Sequence, residues 1–295
     1  MPNKRVHLVA LTLLVILFSV IIVSSGFTMA WSLDMRLTWD EEYDAMPSVI
    51  QTTDEKIWVF WHSYRTNDAE IFYKVYDGSQ VHPWSLEMRL TNNQSEDGTP
   101  SAMQAADGKM WVVWMSNRVG NYEIFYKIRD GISWSPDFRL TFDAAVDELP
   151  SIMQTEDGKI WVFWDSGRNG NYDIFYKTTL DSGQNWSPDS RLSISSTSAD
   201  DWDPSVMQAK DNKIWLTWVR NDHVYYSVFD GSLWSSASKV TSGGLDNWHP
   251  SIMQTQDSKI WVVWDAGKVS ATQPVPTDIY YSVFDGSWSS PLQIT

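Results

Sequence analysis

The chain has 295 residues, enough for one large all-β domain, and 22 Lys and Arg stand against 37 Asp and Glu for a formal net charge of −15. Such a surface repels phosphate backbones and anionic headgroups, so no nucleic-acid partner is expected. With no cysteine, a catalytic thiol, a Cys-based zinc site and a disulfide frame are excluded, and stability outside the cell must come from packing.

In chain order, the first element is an address. Lys4 and Arg5 precede an apolar run from Val6 to Val23, broken only by His7, Thr12 and Ser19. Basic residues followed by apolar ones are the order of a secretory signal. The run exceeds the roughly 7 to 15 residues of a signal core and approaches the roughly 20 of a spanning helix, so residues 1–30 read as a signal peptide or a membrane-anchor helix. Thr28 to Ala30 is a candidate cleavage site. The basic residues before the run place the remainder outside the cytoplasm, secreted or at the cell surface, with membrane contact through residues 6–23 only.

From residue 31 to 295 the chain repeats itself. "DEKIWVFWHSYRTNDAEIFYK" (Asp54 to Lys74), "ADGKMWVVWMSNRVGNYEIFYK" (Ala106 to Lys127) and "EDGKIWVFWDSGRNGNYDIFYK" (Glu156 to Lys177) return after about 50 residues, and two looser copies follow. Between them, "WS", three variable residues and "RLT" or a variant recur at Trp31, Trp84, Trp134, Trp186, Trp234 and Trp288. Each unit thus holds four short segments rich in β-branched and aromatic residues, bounded by Asp, Gly, Asn or Pro, which is the pattern of strands between turns. Four strands per unit of about 50 residues make the blade of a β-propeller.

In "IWVFW" the side chains alternate, so Trp161 and Trp164 point to opposite faces and neither face is polar. A strand of this kind must be buried on both sides, as the middle strand of a blade is. Five such pairs are expected in the core: Trp58 and Trp61, Trp111 and Trp114, Trp161 and Trp164, Trp215 and Trp218, Trp261 and Trp264.

These residues resemble known repeats. "TLDSGQNW" (Thr179 to Trp186) matches the Asp-box, Ser/Thr-x-Asp-x-Gly-x-x-Trp, of sialidase-like (BNR) propellers, with looser copies at Val228 to Trp234, Val283 to Trp288 and Ile128 to Trp134. The run from Arg139 to Tyr176 is also similar to the blades of TolB-like propellers. The Asp-box resemblance implies that the "RLT" strand is outermost. Five copies of the first three strands against six of the last then imply five four-stranded blades with one outer strand surplus. Either terminal copy could complete blade five.

Function is expected where the repeat breaks, since one site on a ring is used once. Asp44, Asp97, Asp147 and Asp201, paired with Arg65, Arg118, Arg168 and Arg220, recur too often to be catalytic and read as clamps between loops. Gln51, Gln104, Gln154, Gln208 and Gln254 read as caps on neighbouring backbone. Acidic turns at Asp40, Glu41, Glu42 and Asp44, and at Asp200, Asp201 and Asp203, lack a recognised Ca²⁺ spacing, and the five histidines have no metal-binding spacing, so neither a metal nor another cofactor is expected.

Of nineteen tryptophans, ten are core and six begin "WS" units, leaving Trp39, Trp202 and Trp248. All three lie in loops between one blade's outer strand and the next blade's inner strand, on blades one, four and five, which are consecutive in a closed ring. Trp202 and Trp248 occupy the same repeat position, where other blades have Ala45, Gly98 and Glu148. Asp203 and His249 stand beside them. Aromatic faces flanked by carboxylate and imidazole suit sugar rings, while the plainer reading is that each tryptophan plugs its blade.

Three functions compete: an extracytoplasmic monomeric module binding glycan or a cell-surface protein through Trp39, Trp202, Asp203, Trp248 and His249; a surface scaffold; and a sialidase-like glycoside hydrolase. Against the last, the Arg-Ile-Pro segment of sialidases is missing, and no residue stands out as catalytic.

Overall fold

The computed structural model describes residues 35–79, 81–192, 194, 198–268 and 277–295. The signal or anchor expected in residues 1–30, and Trp31, lie outside the described residues, among which no helix is long and apolar enough to cross a membrane. All regular structure described is β. Blade one holds β1 (Asp44–Gln51), β2 (Ile57–Thr66), β3 (Asp68–Tyr76) and β4 (Met88–Arg89), and blade two β5 (Asp97–Gln104), β6 (Met110–Ser116), β7 (Glu123–Arg129) and β8 (Phe138–Arg139). Blade three holds β9 (Asp147–Gln154), β10 (Ile160–Ser166), β11 (Asp173–Thr179) and β12 (Ser190–Arg191). Blade four follows with β13 (Asp201–Gln208), β14 (Ile214–Arg220), β15 (His223–Phe229) and β16 (Ser238–Lys239). Blade five ends the chain with β17 (Asp246–Gln254), β18 (Ile260–Gly267), β19 (Asp278–Phe284) and β20 (Leu292–Gln293). Each blade is an antiparallel sheet in chain order, innermost strand first and the short "RLT" strand outermost.

The middle strands are buried on both faces, as their composition demands. Trp164 packs with Trp111 and Val113 of blade two, whereas Trp161 packs on the other face with Leu216 and Trp218 of blade four. All ten paired tryptophans are between 0% and 9% exposed. At roughly 25 cal/mol per Å² of apolar surface removed from water, each contributes several kcal/mol by area. The "WS" tryptophans lean on the preceding blade: Trp134 edge-on to Phe60, Trp186 to Trp111, Trp234 to Phe163 and Trp288 to Trp215. In the turn from Thr179 to Trp186, the Asp181 carboxylate accepts the Thr179 hydroxyl at 2.7 Å and the Asn185 amide at 2.9 Å. Gly183 there has φ of 81°, and a Cβ would sit 2.8 Å from the Trp111 ring, so only glycine fits.

Four blade-to-blade interfaces repeat one hydrogen-bond set. A serine on one inner strand accepts an amide of the next: Ala102 to Ser48 at 3.1 Å, and Ile152 to Ser101, Val206 to Ser151 and Ile252 to Ser205 at 3.2 Å. The inner-strand glutamines behave as caps, for Gln104, Gln154, Gln208 and Gln254 accept the amides of Thr53, Ala106, Glu156 and Lys210 at 2.6–2.8 Å.

Between blades five and one this set is missing among the described residues. Val49 is 45% exposed, whereas its counterparts Ala102, Ile152, Val206 and Ile252 are 6–8% exposed. The C-terminal copy completes blade five, since β20 pairs with β19 through Tyr280 with Gln293 and Tyr281 with Leu292. With that edge filled, the N-terminal copy lies on blade one, where Leu37 packs over Val59 and Trp61. The five four-stranded blades expected from the repeat count are thus found, with the C-terminal outer-strand copy completing blade five.

Candidate functional site

At the start of every inner strand the pairing register slips by a bulge. The residue before the proline is left-handed each time: Met46 at φ 50°, Thr99 at 50°, Leu149 at 49°, Asp203 at 59° and His249 at 49°. Side chains disfavour this region, most of all a β-branched one before proline, so fivefold recurrence marks the bulge as a built feature of the repeat. At two of the bulges its amide is taken by the residue that follows the second core tryptophan of the preceding blade. Thr99 donates to His62 Nδ1 at 3.3 Å, and Asp203 donates to Asp165 Oδ1 at 3.3 Å. Burial pushes His62 down to about 4, which leaves its ring free to accept.

Across blades three to five the same positions carry acids. Glu148 on β9 is the cross-strand partner of Asp165 on β10, and Tyr172 in the following loop donates to Glu148 at 3.4 Å. Asp203 comes next, bound by its own amide to Asp165 and receiving the His249 amide on its carboxylate. His249 then meets Asp265 of β18, Nδ1 to Oδ1 at 2.7 Å. Burial lifts Glu148 above the ordinary carboxylate range, and it lifts Asp165 much further, with the neighbouring Glu148 and Asp203 charges adding to the effect. Burial likewise raises Asp203 to about 6, although the His249 charge and amide oppose it. For His249, burial works against the charge, but the Asp265 hydrogen bond and the nearby Asp203 outweigh it and raise its pKa. Asp203, at about 6, is the carboxyl of the row suited to giving up or taking a proton close to neutrality.

Asp203 and His249, expected from sequence, are brought together here. Trp202 on β13 is 37% exposed and Trp248 on β17, the cross-strand partner of Asp265, is half-buried, so neither is a fully buried plug. Trp39 is 72% exposed, with the Arg36 guanidinium 5.1 Å from its ring centroid, and among the described residues no ring contact joins it to Trp202 or Trp248. Sequence reasoning missed Asp165 and Asp265 and passed over Glu148. The signal was present, because the position after the second tryptophan runs His62, Met115, Asp165, Val219, Asp265, a variable polar slot in an otherwise apolar strand.

The repeated charges are structural clamps. Arg65, Arg118 and Arg168 each grip Asp44, Asp97 and Asp147 through both carboxylate oxygens at 2.8–3.1 Å, and Arg220 reaches Asp201 at 2.6 Å. Asp201 is thereby committed to the Arg220 guanidinium. In blade five, Asn247 bonds the Asp222 and Leu245 carbonyls at 2.6 and 2.7 Å instead. A second, unforeseen ring pairs buried Glu70, Glu123 and Asp173 with Arg89, Arg139 and Arg191 of the outer strands. Among the described residues no group of three His, Asp or Glu is placed to hold a metal. A cavity of about 510 Å³ opens at the other end of the inner strands, lined by Met103, Met153, Met207 and the glutamines beside them. Its glutamine amides are already bonded to backbone, and it lies at the end of β13 opposite Asp203.

No protein-family model and no curated protein matches the sequence. Solved structures do match by shape. An α-L-arabinanase of Penicillium chrysogenum aligns with a TM-score of 0.62 at 14% identity, over 85% of this chain and 81% of its own. A thermostable family-43 glycoside hydrolase aligns with a TM-score of 0.59 at 11% identity, over 85% and 94%. An ulvan lyase, a polysaccharide lyase, gives 0.59 at 12% identity, over 84% and 72%. At such identities the likeness is one of fold: this chain is an all-β propeller of five four-stranded blades.

Proposed function

We propose that the protein is an extracytoplasmic glycan-active propeller of the glycoside hydrolase type, working at the bulge face of blades three to five. The observation that carries this reading is Asp203, a carboxyl raised to about 6 at a slot where the other blades have Met46, Thr99, Leu149 and His249. Glycosidic cleavage needs a carboxylic acid that keeps its proton near neutrality to protonate the leaving oxygen, and a second carboxylate to assist water or the sugar. Asp203 is the proton donor and Asp265, on the far side of His249, is the second group. Trp202 and Trp248 supply apolar faces against which a sugar ring stacks. The fold neighbours named as an arabinanase, a glycoside hydrolase and a polysaccharide lyase support a carbohydrate substrate, and they favour an enzyme over a pure binding module. The basic-then-apolar N-terminus, with Lys4 and Arg5 before Val6 to Val23, supports placement outside the cytoplasm.

The test is a hydrolysis screen on chromogenic glycosides run beside a glycan array. Turnover that is lost in Asp203→Asn, with array binding retained, is the expected result. Binding without turnover in the unaltered protein would return the site to a recognition module, a reading that the exposed Trp202 also supports. A blank on both would leave neither.

A further inference from the structure

We propose that the site continues from Asp203 across blades three, two and one as a track of tyrosines and carboxylates ending on Tyr43 and Tyr64, and that this track holds a neutral glycan chain of several sugar units. The inference rests on the glycan reading of Asp203 and deepens it by naming the form of the substrate.

The far end of the track is a place where the repeat breaks. On the strand rung beside each clamp, at the bulge end, the chain sets Tyr43 with Tyr64, Glu96 with Asn117, Val146 with Gly167, Asp200 with Asn221 and Asp246 with Gly267. Of the five blades, blade one alone carries an aromatic pair there. The Tyr64 amide donates to the Tyr43 carbonyl at 3.2 Å, and the two ring centroids lie 6.3 Å apart. His62, in the slot that Asp165 and Asp265 fill on other blades, stands edge-on to Tyr64 at 5.8 Å. Tyr43 is 52% exposed and Tyr64 38%, and among the described residues neither hydroxyl has a hydrogen-bond partner. Rings and hydroxyls that served packing alone would be covered and bonded, whereas these remain open to a ligand.

Between that pair and Asp203 the groups follow one another from blade to blade. The Tyr122 hydroxyl donates to Glu96, and the Tyr172 hydroxyl to Glu148 at 3.4 Å. Burial raises Tyr64 and Tyr122, and the nearby Glu96 carboxylate raises both further. Burial also raises Tyr172, with Glu148 and Asp165 beside it adding to the effect. The phenols thus stay protonated as donors with carboxylates set among them as acceptors, an alternation that sugar hydroxyls can join. Packed sheets stand roughly 10 Å apart, so a ligand reaching from Tyr64 on blade one to Asp203 on blade four spans more than one sugar ring. The charge along the track selects an uncharged chain. Glu96, Glu148, Asp165, Asp200 and Asp203 follow its course, while Arg65, Arg118 and Arg168 are held by their clamps. A uronate or sulfate group would meet carboxylates there, with no free cation among these residues to receive it.

The experiment titrates the full chain, held in detergent, with neutral arabino-, xylo- and galacto-oligosaccharides of two to about six units, and with oligogalacturonates of the same lengths. Affinity should rise with length on a neutral ladder and be absent on the acidic one. Tyr43→Ala and Tyr64→Ala should each weaken binding of the longest neutral chain about fivefold or more and leave the disaccharide unchanged, while Tyr64→Phe, which keeps the ring, should retain most of the length dependence. Both side chains are exposed, so the variants should unfold at the same temperature as the unaltered protein. Affinity that is flat with length on every ladder overturns the proposal, as does an equal loss for short and long chains in Tyr64→Ala, or oligogalacturonate bound as tightly as a neutral chain. The catalytic reading fails separately: length-dependent binding without turnover upholds the track and removes the hydrolase, whereas turnover with a flat length profile upholds Asp203 and removes the track.

Discussion

Blade three holds two buried acids on adjacent strands, and their fates differ. Asp147 begins β9 at 0% exposure and accepts two hydrogen bonds from Arg168 at 2.9 Å, beside others from the Ser166 and Thr141 side chains. Asp165 on β10 is 1% exposed and is met by the backbone amide of Asp203. Burial raises both carboxyls, Asp147 against the pull of Arg168 and Asp165 much further without any cation to oppose it. Arg168 is for its part held more firmly charged by Asp189 and Asp147, although burial works the other way, and the bidentate geometry is that of an ion pair. The repeat therefore supplies a cation wherever an acid serves architecture. Where the repeat lapses, burial without a cation raises the carboxyl, and that is the property chemistry can use.

The sharpest break of this contrast is in the packing beneath both. Trp164→Ala should destabilise the fold by about 3–5 kcal/mol through the cavity left between blades two and three, measured by denaturant unfolding, with the proton-bearing row unaltered in any fragment that stays folded. Removing the clamp comes next. Arg168→Ala leaves Asp147 buried without its cation and should cost about 2–4 kcal/mol of stability while sparing ligand binding. Loss of binding at unchanged stability would place Arg168 in the site instead.

On the other side of the comparison, Asp203→Asn should act oppositely. A carboxyl raised in the folded state favours folding while it is protonated, and that contribution is lost as pH climbs from the unfolded value toward about 6. Unaltered protein should thus lose up to about 3 kcal/mol between pH 4 and pH 7 relative to Asp203→Asn, which should be the more stable at neutrality. Turnover that depends on the protonated acid should fall through the same pH window. Parallel stability curves for the two proteins would mean that Asp203 is solvated like any surface carboxylate. The smallest expected effects are on the aromatic flanks. Trp202→Ala and Trp248→Ala should each weaken glycan binding by about 1–3 kcal/mol by titration calorimetry, with stability nearly unchanged. Trp39→Ala should leave binding alone, because its ring meets Arg36 rather than Trp202 or Trp248.

Much of this architecture was legible in residue order. Strands with tryptophans three apart bury both faces in any context, so "IWVFW" implies a sheet between two sheets, and five returns imply five blades. The clamps could be read as well, since Asp44 and Arg65 recur with Asp97 and Arg118 and with Asp147 and Arg168 at one separation. Of the site, Asp203 and His249 stood out as interruptions, and their mutual approach follows from sharing one repeat position on adjacent blades. Asp165 and Asp265 were hidden because each follows a tryptophan inside an apolar strand, where a single polar residue says nothing about what faces it.

Periodicity is a local property, and it carried the strands, the turns and the pairing of neighbours within a blade. Which terminal copy completes the last blade is a long-range question that the period cannot answer, because both outer-strand copies satisfy the same local rules. It was decided in three dimensions, when β20 took the edge of β19 and left Leu37 on blade one. The protonation of the acidic row was decided there too. A carboxyl's pKa depends on the water and charge it loses on folding, and those are set by the neighbouring blade rather than by the residues beside it in the chain.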